Sequence, residues 1–434
     1  MNTLFTIAAR NLRQGGRRVY LLGAAMVLVA MLLVLLDSLA AGLEASMIHS
    51  ATTLSSGHVN VGGFFKVTSG QASPVVADGP GIRKIVTAEV PELDFQIDRV
   101  RGWARVVSEE ASFWGGLLGV DVAEERGLRG VLQITAGTFD GLAEPDTILL
   151  FEQQAKRLVA KVGDTLTISA PTMGGVNNTV DVRVVAIAKD LGMMSAINIF
   201  MPKVTIRKLY QMKADATGAV QIYLKNERDA AAVMERLRPK LEAAGYKLMD
   251  LDPRPFWMKF DTVTGQDWVG QKLDLTTWRE EVSFLLWILT GFGALRWLLL
   301  GVILLLVVVG IMNTMYMSIR ERTREIGTMR AIGMSRGQVL RLFLIEATLL
   351  GLGAGAFGAT LGAGLAVAIN AAKIQIPMDA FMAILMNDYV YLKLTVGNVV
   401  FATLLITAIS CIAALRPARR AARMRPVGAL HTVG

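Results

Sequence analysis

The sequence has few of the residues that build disulfides, metal sites or catalytic clusters. It contains one cysteine, Cys411, and three histidines, His49, His58 and His431, among 434 residues. A single cysteine cannot form an intrachain disulfide, and the histidines are too scattered along the chain to indicate a zinc site. We therefore expect no catalytic residue and no bound metal in this chain.

Charged residues are also scarce. They make up 19% of the chain, whereas hydrophobic residues make up 53%. Soluble domains are typically about 25% charged. This balance excludes a disordered chain and argues against a simple soluble enzyme.

The missing charges leave long apolar runs. Four of them approach or exceed the roughly 20 residues that a helix needs to cross a bilayer. They are Val19 to Leu36, Leu298 to Ser318, Ala347 to Ala372, and Leu394 to Leu415. The sequence therefore predicts an α-helical membrane protein with four transmembrane helices.

Two segments suggest alternatives to this assignment. Residues 1–40 resemble a cleaved signal peptide, but the first apolar run is longer than the usual 7 to 15 residues. The segment from Val282 to Leu295 is another apolar run, although it is short for a crossing. We interpret it as a stalk helix leading into the second span, with Trp287 and Trp297 at headgroup level and Arg296 extended toward the headgroups.

The net charge of +9 comes from arginines that flank the spans. They lie before the first span, between the second and third, and after the fourth, so we expect no nucleic-acid partner. The positive-inside rule places these segments and both termini in the cytoplasm. The arginines are Arg10, Arg13, Arg17, Arg18, Arg320, Arg322, Arg324, Arg330, Arg336, Arg341, Arg416, Arg419, Arg420, Arg423 and Arg425.

The long stretch between the first two spans would then lie outside the membrane. It mixes β-branched runs with helical patterns, which predicts one large mixed α/β domain inserted between transmembrane helices 1 and 2. Strands are predicted at 58–61, 95–107, 165–169, 180–188 and 220–224, and helices at 151–161, 204–211 and 228–244. The run 221–250 suggests a β-α-β unit, and Pro171 to Thr179 a hairpin tip.

The third span is rich in glycine. Gly351 with Gly355, and Gly358 with Gly362, form two G-x-x-x-G pairs. Small residues at this spacing let helices approach closely. The sequence leaves two alternatives open for the partner helix, which belongs either to the same subunit or to a second one.

Between the second and third spans a charged helix is expected to end at Gly333. Ser335 and Gln338 fit a capping box that opens the next helix. Gly333 to Gly337 also matches G-x-S-x-G of hydrolases, but the strand-to-helix turn and the partner residues of that motif are missing. Ile326, Met329 and Ile332 lie on another side of the first helix and suit the groove of a soluble partner.

This chain has no Gly-Lys dipeptide. A Walker A loop needs that lysine together with its glycines. ATP and Mg²⁺ would therefore be bound by another subunit, and we expect no cofactor in this chain.

Three segments resemble the permeases of the FtsX/MacB/LolC-LolE superfamily of ABC transporters. They are Glu321-Arg-Thr-Arg-Glu-Ile-Gly-Thr-Met-Arg-Ala-Ile-Gly, Leu344-Ile-Glu-Ala, and Arg416-Pro-Ala-Arg-Arg-Ala-Ala-Arg-Met-Arg-Pro-Val-Gly-Ala-Leu. The resemblance implies a coupling helix that docks on a separate ATPase, with two permeases, identical or paralogous, around an ATPase dimer. The implied coupling positions are Glu321, Arg322, Arg324, Glu325, Gly327, Arg330, Ala331 and Gly333.

Ala9-Arg-Asn-Leu and Ser56-Gly-His-Val-Asn-Val look most like the lipoprotein-releasing LolC/LolE branch. This similarity implies release of a lipid-anchored cargo at the outer face of the bacterial inner membrane. Pro171, Met173, Gly174 and Gly175 would contact a periplasmic chaperone or adaptor. The cargo, and membrane lipid, would meet Met26, Met31, Leu32, Met312 and Met315.

Two other functions remain open: an FtsX-like relay that activates a cell-wall hydrolase, and a MacB-like exporter of drugs or peptides.

The expected organisation of the chain is the same for all three functions. It comprises the N-terminus and first span (1–42), the MacB-like core domain (43–281), the stalk and second span (282–319), the coupling segment (320–341), the third span (342–372), a periplasmic loop (373–393), the fourth span (394–415) and a cytoplasmic tail (416–434).

Overall fold

The structure, a computed structural model, describes residues 2–14, 16–68, 70–375 and 389–424. These residues form two compact units. A membrane unit draws on the described parts of Met1–Ala45, Leu289–Gln375 and Tyr389–Gly434. A second unit draws on those of Ser46–Ile288, and we call it the exported unit after its predicted location. Residues 376–388 of the predicted loop and 425–434 of the predicted tail lie outside the described residues.

The described residues form fourteen α-helices and eleven strands. The helices are α1 Asn2–Gln14, α2 Gly16–Ala51, α3 Gly79–Glu89, α4 Leu128–Val131, α5 Glu152–Leu158, α6 Gly192–Ile197, α7 Lys203–Tyr210, α8 Ala230–Ala243, α9 Phe260–Gly265, α10 Trp278–Glu281, α11 Ser283–Glu321, α12 Thr323–Ala331, α13 Arg336–Ala372 and α14 Val396–Ala422. The strands are β1 Val59–Thr68, β2 Gln71–Ser73, β3 Leu93–Val107, β4 Ser112–Val120, β5 Ile134–Gly137, β6 Thr147–Phe151, β7 Thr165–Pro171, β8 Asn177–Ala188, β9 Asn198–Pro202, β10 Ala219–Leu224 and β11 Gly270–Thr277.

Four helices, α2, α11, α13 and α14, are long and apolar enough to cross a membrane. They contain three predicted spans in full and all of the fourth except Leu394 and Thr395, so the predicted fold class is confirmed. The predicted stalk and second span form one helix, because α11 runs without interruption from Ser283 to Glu321. The fourth span begins at Val396, where the Thr395 hydroxyl accepts a hydrogen bond from Asn398 N at 3.2 Å and caps α14.

The glycine pairs of α13 pack against two different helices of the same chain. A Cβ at Gly351 would lie 2.9 Å from Thr407 Cα of α14, and Gly355 faces Thr403 of the same helix. A Cβ at Gly358 would lie 2.8 Å from Ala30 Cβ of α2. Packing within the subunit, one of the two alternatives, is therefore confirmed for both pairs.

Gly362 also faces α2, where its Cβ would lie 2.8 Å from Met31 O and 3.1 Å from Val34 Cβ. Each of these approaches is too close for a side chain. The four glycines thus bring the backbones of α2, α13 and α14 together.

The two charges that interrupt the first and second apolar runs form an ion pair. Arg296 Nη1 lies 3.0 Å from Asp37 Oδ1, and both side chains are partly buried. The guanidinium also lies over the Trp297 ring, 5.3 Å from its centroid. Charges at such positions are costly in lipid unless they are paired. Asp37 and Arg296 pair with each other, and their ion pair links α2 to α11.

The exported unit is built around β3, which is long enough to belong to two sheets. Its first half, Leu93 to Arg99, pairs with β10, and β10 and β1 lead on to β11. Its second half, Val100 to Val107, pairs with β4 on one side and β7 on the other. Strands β3, β4, β9, β6, β8 and β7 then close into a ring through successive pairings.

Alternate residues of these strands fill the inside of the ring. Val100, Ala104 and Val106 of β3 face Leu117 of β4 and Ile168 of β7 in one buried cluster. This period of two is the one expected for strands with one buried face. The large mixed α/β domain that was predicted between the first two spans is thereby confirmed.

Some predicted elements differ from the observed ones. The third element of the β-α-β unit is reduced to one bridge, between Leu248 and Leu273. Strands β2, β4, β5, β6, β9 and β11 were not predicted. Strands β2, β5, β6 and β9 have only three to five residues each, and β4 contains Gly115 and Gly116, which are uncommon inside strands.

A π-helical turn, Thr52–Ser56, follows α2 and is held by side chains of the sheet. The fully buried Arg99 donates to Thr53 O at 2.8 Å and Leu54 O at 2.7 Å, and pairs with Glu125 at 2.7 Å. Arg101 and Gln221 donate to Ser55 O. The carbonyls that every helix end leaves without partners are thus satisfied by the sheet.

We predict that Gly358→Leu destabilises the membrane unit, because its side chain would collide with the α2 backbone. Overpacking of this kind costs about 1–3 kcal/mol. Gly364→Leu is the matched control, since a Cβ there meets no described atom within 4 Å. Thermal unfolding of the full chain in detergent should show a lower midpoint for the first variant alone, and equal midpoints would contradict the packing.

A pH dependence is expected from His58, whose Nδ1 accepts a hydrogen bond from Leu224 N at 2.9 Å. Burial lowers the pKa of His58, and nearby Glu227 only partly offsets this. As pH falls below about 6.5, the unfolded chain binds a proton that the folded chain does not, so stability decreases. The free energy of unfolding should therefore fall less between pH 7.5 and pH 5.5 in His58→Asn than in the original chain, and an equal fall in both would contradict this assignment.

Candidate coupling surface

Helix α12 and its two connections form the segment that was predicted to couple to a partner. Helix α11 ends at Glu321 and α12 begins at Thr323, with Arg322 alone between them. The Thr323 hydroxyl donates to Ile319 O at 3.0 Å and Arg320 O at 2.8 Å. Such back-bonding often bends a helix, and here it lies next to the break at Arg322.

One face of this segment is exposed. It carries charged and small side chains at helical spacing, together with Ile332, which is 83% exposed. The exposed residues of the segment are Glu321, Arg324, Glu325, Thr328, Ala331, Ile332 and Gly333. Five of the eight predicted coupling positions, Glu321, Arg324, Glu325, Ala331 and Gly333, therefore lie on an accessible surface.

The other three predicted positions face the protein. Gly327 is buried, Arg322 is largely buried, and Arg330 is half-buried and donates to Ala422 O of α14 at 2.8 Å. These residues hold α12 in place and do not present side chains to a partner.

The prediction that Ile326, Met329 and Ile332 form one apolar side open to a partner is wrong. Ile326 is fully buried and belongs to the core cluster of the membrane unit, with Met329 packed against it. Ile332 is instead highly exposed. Ile332 diverges because α12 ends at Ala331, and even a continued helix would place residue 332 about 120° around the axis from residue 326. Only Ile332 is available to a partner.

A polar cluster that the sequence did not reveal lies behind α12. Arg322 Nη1 lies 3.1 Å from Glu346 Oε1, and Asn11 Nδ2 donates to the same oxygen at 2.6 Å. Arg322 also pairs with Glu325 at 3.0 Å. Burial disfavours the guanidinium charge, but Glu346 and Glu325 raise the pKa of Arg322 above its usual value.

Beyond α12 the chain turns sharply and re-enters a helix. Gly333 has φ of +109°, a conformation that favours glycine. Ser335 Oγ accepts from Gln338 N at 3.3 Å, and Ser335 N donates to Gln338 Oε1 at 2.7 Å. The predicted capping box is confirmed, and the Ser335 hydroxyl serves as a helix cap.

The predicted cargo residues are distributed over different environments. Met26 and Met315 are buried in the core cluster of the membrane unit. Met31 and Met312 are half-buried, and Leu32 is exposed. The five residues do not share one surface, and Leu32 is the one that faces outward.

The predicted hairpin is present in the exported unit. Strands β7 and β8 pair from Thr165 to Pro171, and Pro171 lies opposite Asn177. At the tip, Gly174 and Gly175 are exposed and Gly175 has φ of +84°, whereas Met173 is half-buried.

Among the described residues, no group of three or more His, Cys, Asp or Glu is arranged to hold a metal ion.

Four apolar helices, an inserted α/β unit and a charged helix between two spans define a multi-pass membrane protein of the permease class. Residues 22–240 match the family model of the MacB-like periplasmic core domain, and residues 297–426 match that of the FtsX-like permease C-terminal domain. The chain belongs to the FtsX/MacB family of ABC transporter permeases. Members of this family are generally non-catalytic subunits that work with an ATPase partner.

Three relatives illustrate the match. The macrolide export ATP-binding/permease protein MacB of Neisseria gonorrhoeae is 33% identical over 141 residues, 32% of this chain and 20% of that protein. The pyoverdine export ATP-binding/permease protein PvdT of Pseudomonas syringae pv. tomato is 39% identical over 122 residues, 28% of this chain and 16% of that protein. An uncharacterized ABC transporter permease of Methanocaldococcus jannaschii is 34% identical over 128 residues, 30% of each chain.

The matched region thus spans about a fifth of the length of MacB. Among solved structures, the periplasmic region of MacB from Actinobacillus actinomycetemcomitans aligns over 51% of this chain and 89% of its own, with 13% identity and a TM-score of 0.29. The extracellular domain of the ABC-type transporter YknZ from Gram-positive bacteria aligns over 49% and 98%, with 13% identity and a TM-score of 0.30. At these scores the structural similarity adds nothing to the sequence match.

Proposed function

We propose that this chain is the permease subunit of a mechanotransmission ABC transporter, in which ATP hydrolysis by a partner drives work outside the membrane. The observation that carries the proposal is the exposed charged face of α12, placed between two spanning helices, α11 and α13. Such a face suits docking on a soluble protein. The residues proposed to contact the ATPase are Glu321, Arg324, Glu325, Ala331 and Gly333.

The proposed location is the bacterial inner membrane, with both termini and α12 in the cytoplasm. Arginines near α1, around α12 and at the end of α14 support this orientation through the positive-inside rule. The exported unit would then lie in the periplasm.

The proposed assembly pairs two permeases, identical or paralogous, with an ATPase dimer that binds ATP and Mg²⁺. Relatives named as ATP-binding/permease proteins support the ATPase partner. Both glycine pairs of α13 are occupied by α2 and α14 of the same chain. A second permease would therefore contact other surfaces of the membrane unit.

The proposed cargo is a lipoprotein or another lipid-anchored molecule, as in the LolC/LolE branch. Exposed Leu32 on the first span would face such a cargo from the membrane side, and the exposed hairpin tip, Gly174 and Gly175, would meet a chaperone or adaptor. A second candidate is export of a diffusible molecule, which is favoured by relatives named for macrolide and pyoverdine export.

The main experiment is a mild-detergent pull-down of the full chain and of Glu321→Lys. We expect the original chain to retain an ABC ATPase, and the variant to retain at least about tenfold less, equivalent to roughly 1.4 kcal/mol. Charge reversal acts on an exposed position, so folding should be unaffected. Glu109→Lys, an exposed site in the exported unit, is the control.

Equal ATPase recovery from Glu321→Lys and Glu109→Lys would refute the docking face. The proteins recovered with the original chain also separate the candidate functions. A lipid-anchored protein supports the proposed cargo, a periplasmic adaptor supports export, and a cell-wall hydrolase supports an FtsX-like relay.

The orientation is tested by thiol labelling in a Cys411→Ser background. Thr328 is exposed on α12, so Thr328→Cys should react with a membrane-impermeant maleimide only after the cells are opened. Glu109→Cys in the exported unit is the opposite control and should react in cells with a permeabilised outer membrane. Labelling of Thr328→Cys before opening would overturn the proposed orientation.

A further inference from the structure

The helix is interrupted at Arg322, where φ is −100° and ψ is 17°, and we call this break the α11–α12 bend. No glycine or proline lies there to explain it. The residues there are Arg320-Glu321-Arg322-Thr323-Arg324. Bends in helices have identifiable causes, and the Thr323 hydroxyl, which bonds back to the preceding turn, lies next to this one. Thr348 and Thr403 make the same bond to the residue four positions back inside helices that continue without a break. The direction of α12 therefore depends on other contacts.

Arg322, the single residue between the two helices, supplies a contact that sets direction. Its side chain is 18% exposed and points to α13, where its guanidinium meets both oxygens of Glu346, at 3.1 and 3.3 Å. It also lies over the Phe343 ring, 5.7 Å from the centroid. The first residue of the bend is therefore fixed to the helix that follows α12.

Glu346 is the buried member of this pair. Its side chain is 7% exposed, whereas Glu325, the other carboxylate on Arg322, is 65% exposed. An exposed ion pair contributes little, but a buried charge depends strongly on its partners. The Arg322–Glu346 contact is thus the one that constrains the bend.

The same carboxylate also holds a third helix. Asn11 of α1 donates to Glu346 Oε1 at 2.6 Å, the shortest of its contacts. One side chain on α13 therefore joins α1, the α11–α12 bend and the third span. From the exposed face of α12, Glu325 also takes part in this cluster through Arg322.

We propose that Glu346 is a positioning residue: through Arg322 and Asn11 it fixes the direction of α12 relative to α1 and α13, so that a force on the exposed face of α12 is passed to the spans. The inference rests on the proposed coupling function of α12. It assigns a role to the Leu344-Ile-Glu-Ala segment, which is not part of the exposed docking face.

The test measures the direction of α12 in the full chain by spin-label distances between Thr328→Cys and Arg13→Cys, in a Cys411→Ser background. Both positions are exposed, on α12 and α1. We expect one narrow distance distribution in the original chain and a broadened or shifted one in Glu346→Gln, which keeps the shape of the side chain and removes its charge. Glu44→Gln, at an exposed carboxylate on α2, is the control and should keep the narrow distribution.

A second variant covers the case in which Glu346→Gln fails to fold. Arg322→Met with Glu346→Gln removes both buried charges, and neutral replacement of a buried pair is often tolerated. Its distribution should be as broad as that of either single variant and no broader, because the two residues act through one contact. A distribution like that of the original chain in this double variant would overturn the proposal.

The ATPase partner gives a readout that separates positioning from docking. Glu346→Gln should retain the ATPase, because the exposed face is intact, while the permease-dependent stimulation of ATP hydrolysis falls at least about fivefold, the lower range of coupling effects. Unchanged stimulation would contradict the proposal. If Glu321→Lys retains the ATPase, the docking function fails, but the distance measurements still decide whether Glu346 directs α12.

Discussion

The close approach of α13 to α2 and α14 is the contact on which the membrane unit depends. In lipid there is no hydrophobic force between helices, so association relies on packing of backbones and small side chains. Because Gly358 has no side chain, α2 can approach α13 closely at Ala30, and Gly351 allows the same approach of α14 at Thr407. These contacts fix three of the four spans relative to one another and give α12, which lies directly before α13 in the chain, a rigid helix to pack against.

Charged groups add direction to this packing. A charge near lipid or in a protein interior needs a partner, and in the membrane unit the partners lie on other helices. Asp37 and Arg296 link α2 to α11, and Arg322 and Glu346 link the α11–α12 bend to α13. Because ion pairs and hydrogen bonds require specific geometry, they can define an angle between helices that apolar contacts alone leave loose.

In the exported unit, side chains of the sheet provide hydrogen bonds for the backbone at the end of α2. The last carbonyls of a helix have no partners within the helix. Here Arg99, Arg101 and Gln221 of the sheet donate to carbonyls of the turn Thr52–Ser56, and Glu125 neutralises Arg99. The turn is thereby made part of the sheet's hydrogen-bonding network, although Arg99 is a fully buried cation.

The sequence by itself determined the spans, the inserted domain and the Ser335 cap, because hydropathy and capping are local properties of consecutive residues. The family motif also identified the segment that is proposed to couple to the ATPase. Only the tertiary structure decided that Ile326 is buried while Ile332 is exposed, and that the glycine pairs serve α2 and α14. The partnership of Arg322 with Glu346, 24 positions away, likewise required the fold. Spacing along a chain shows which residues share a helix face, but packing between helices decides what that face meets.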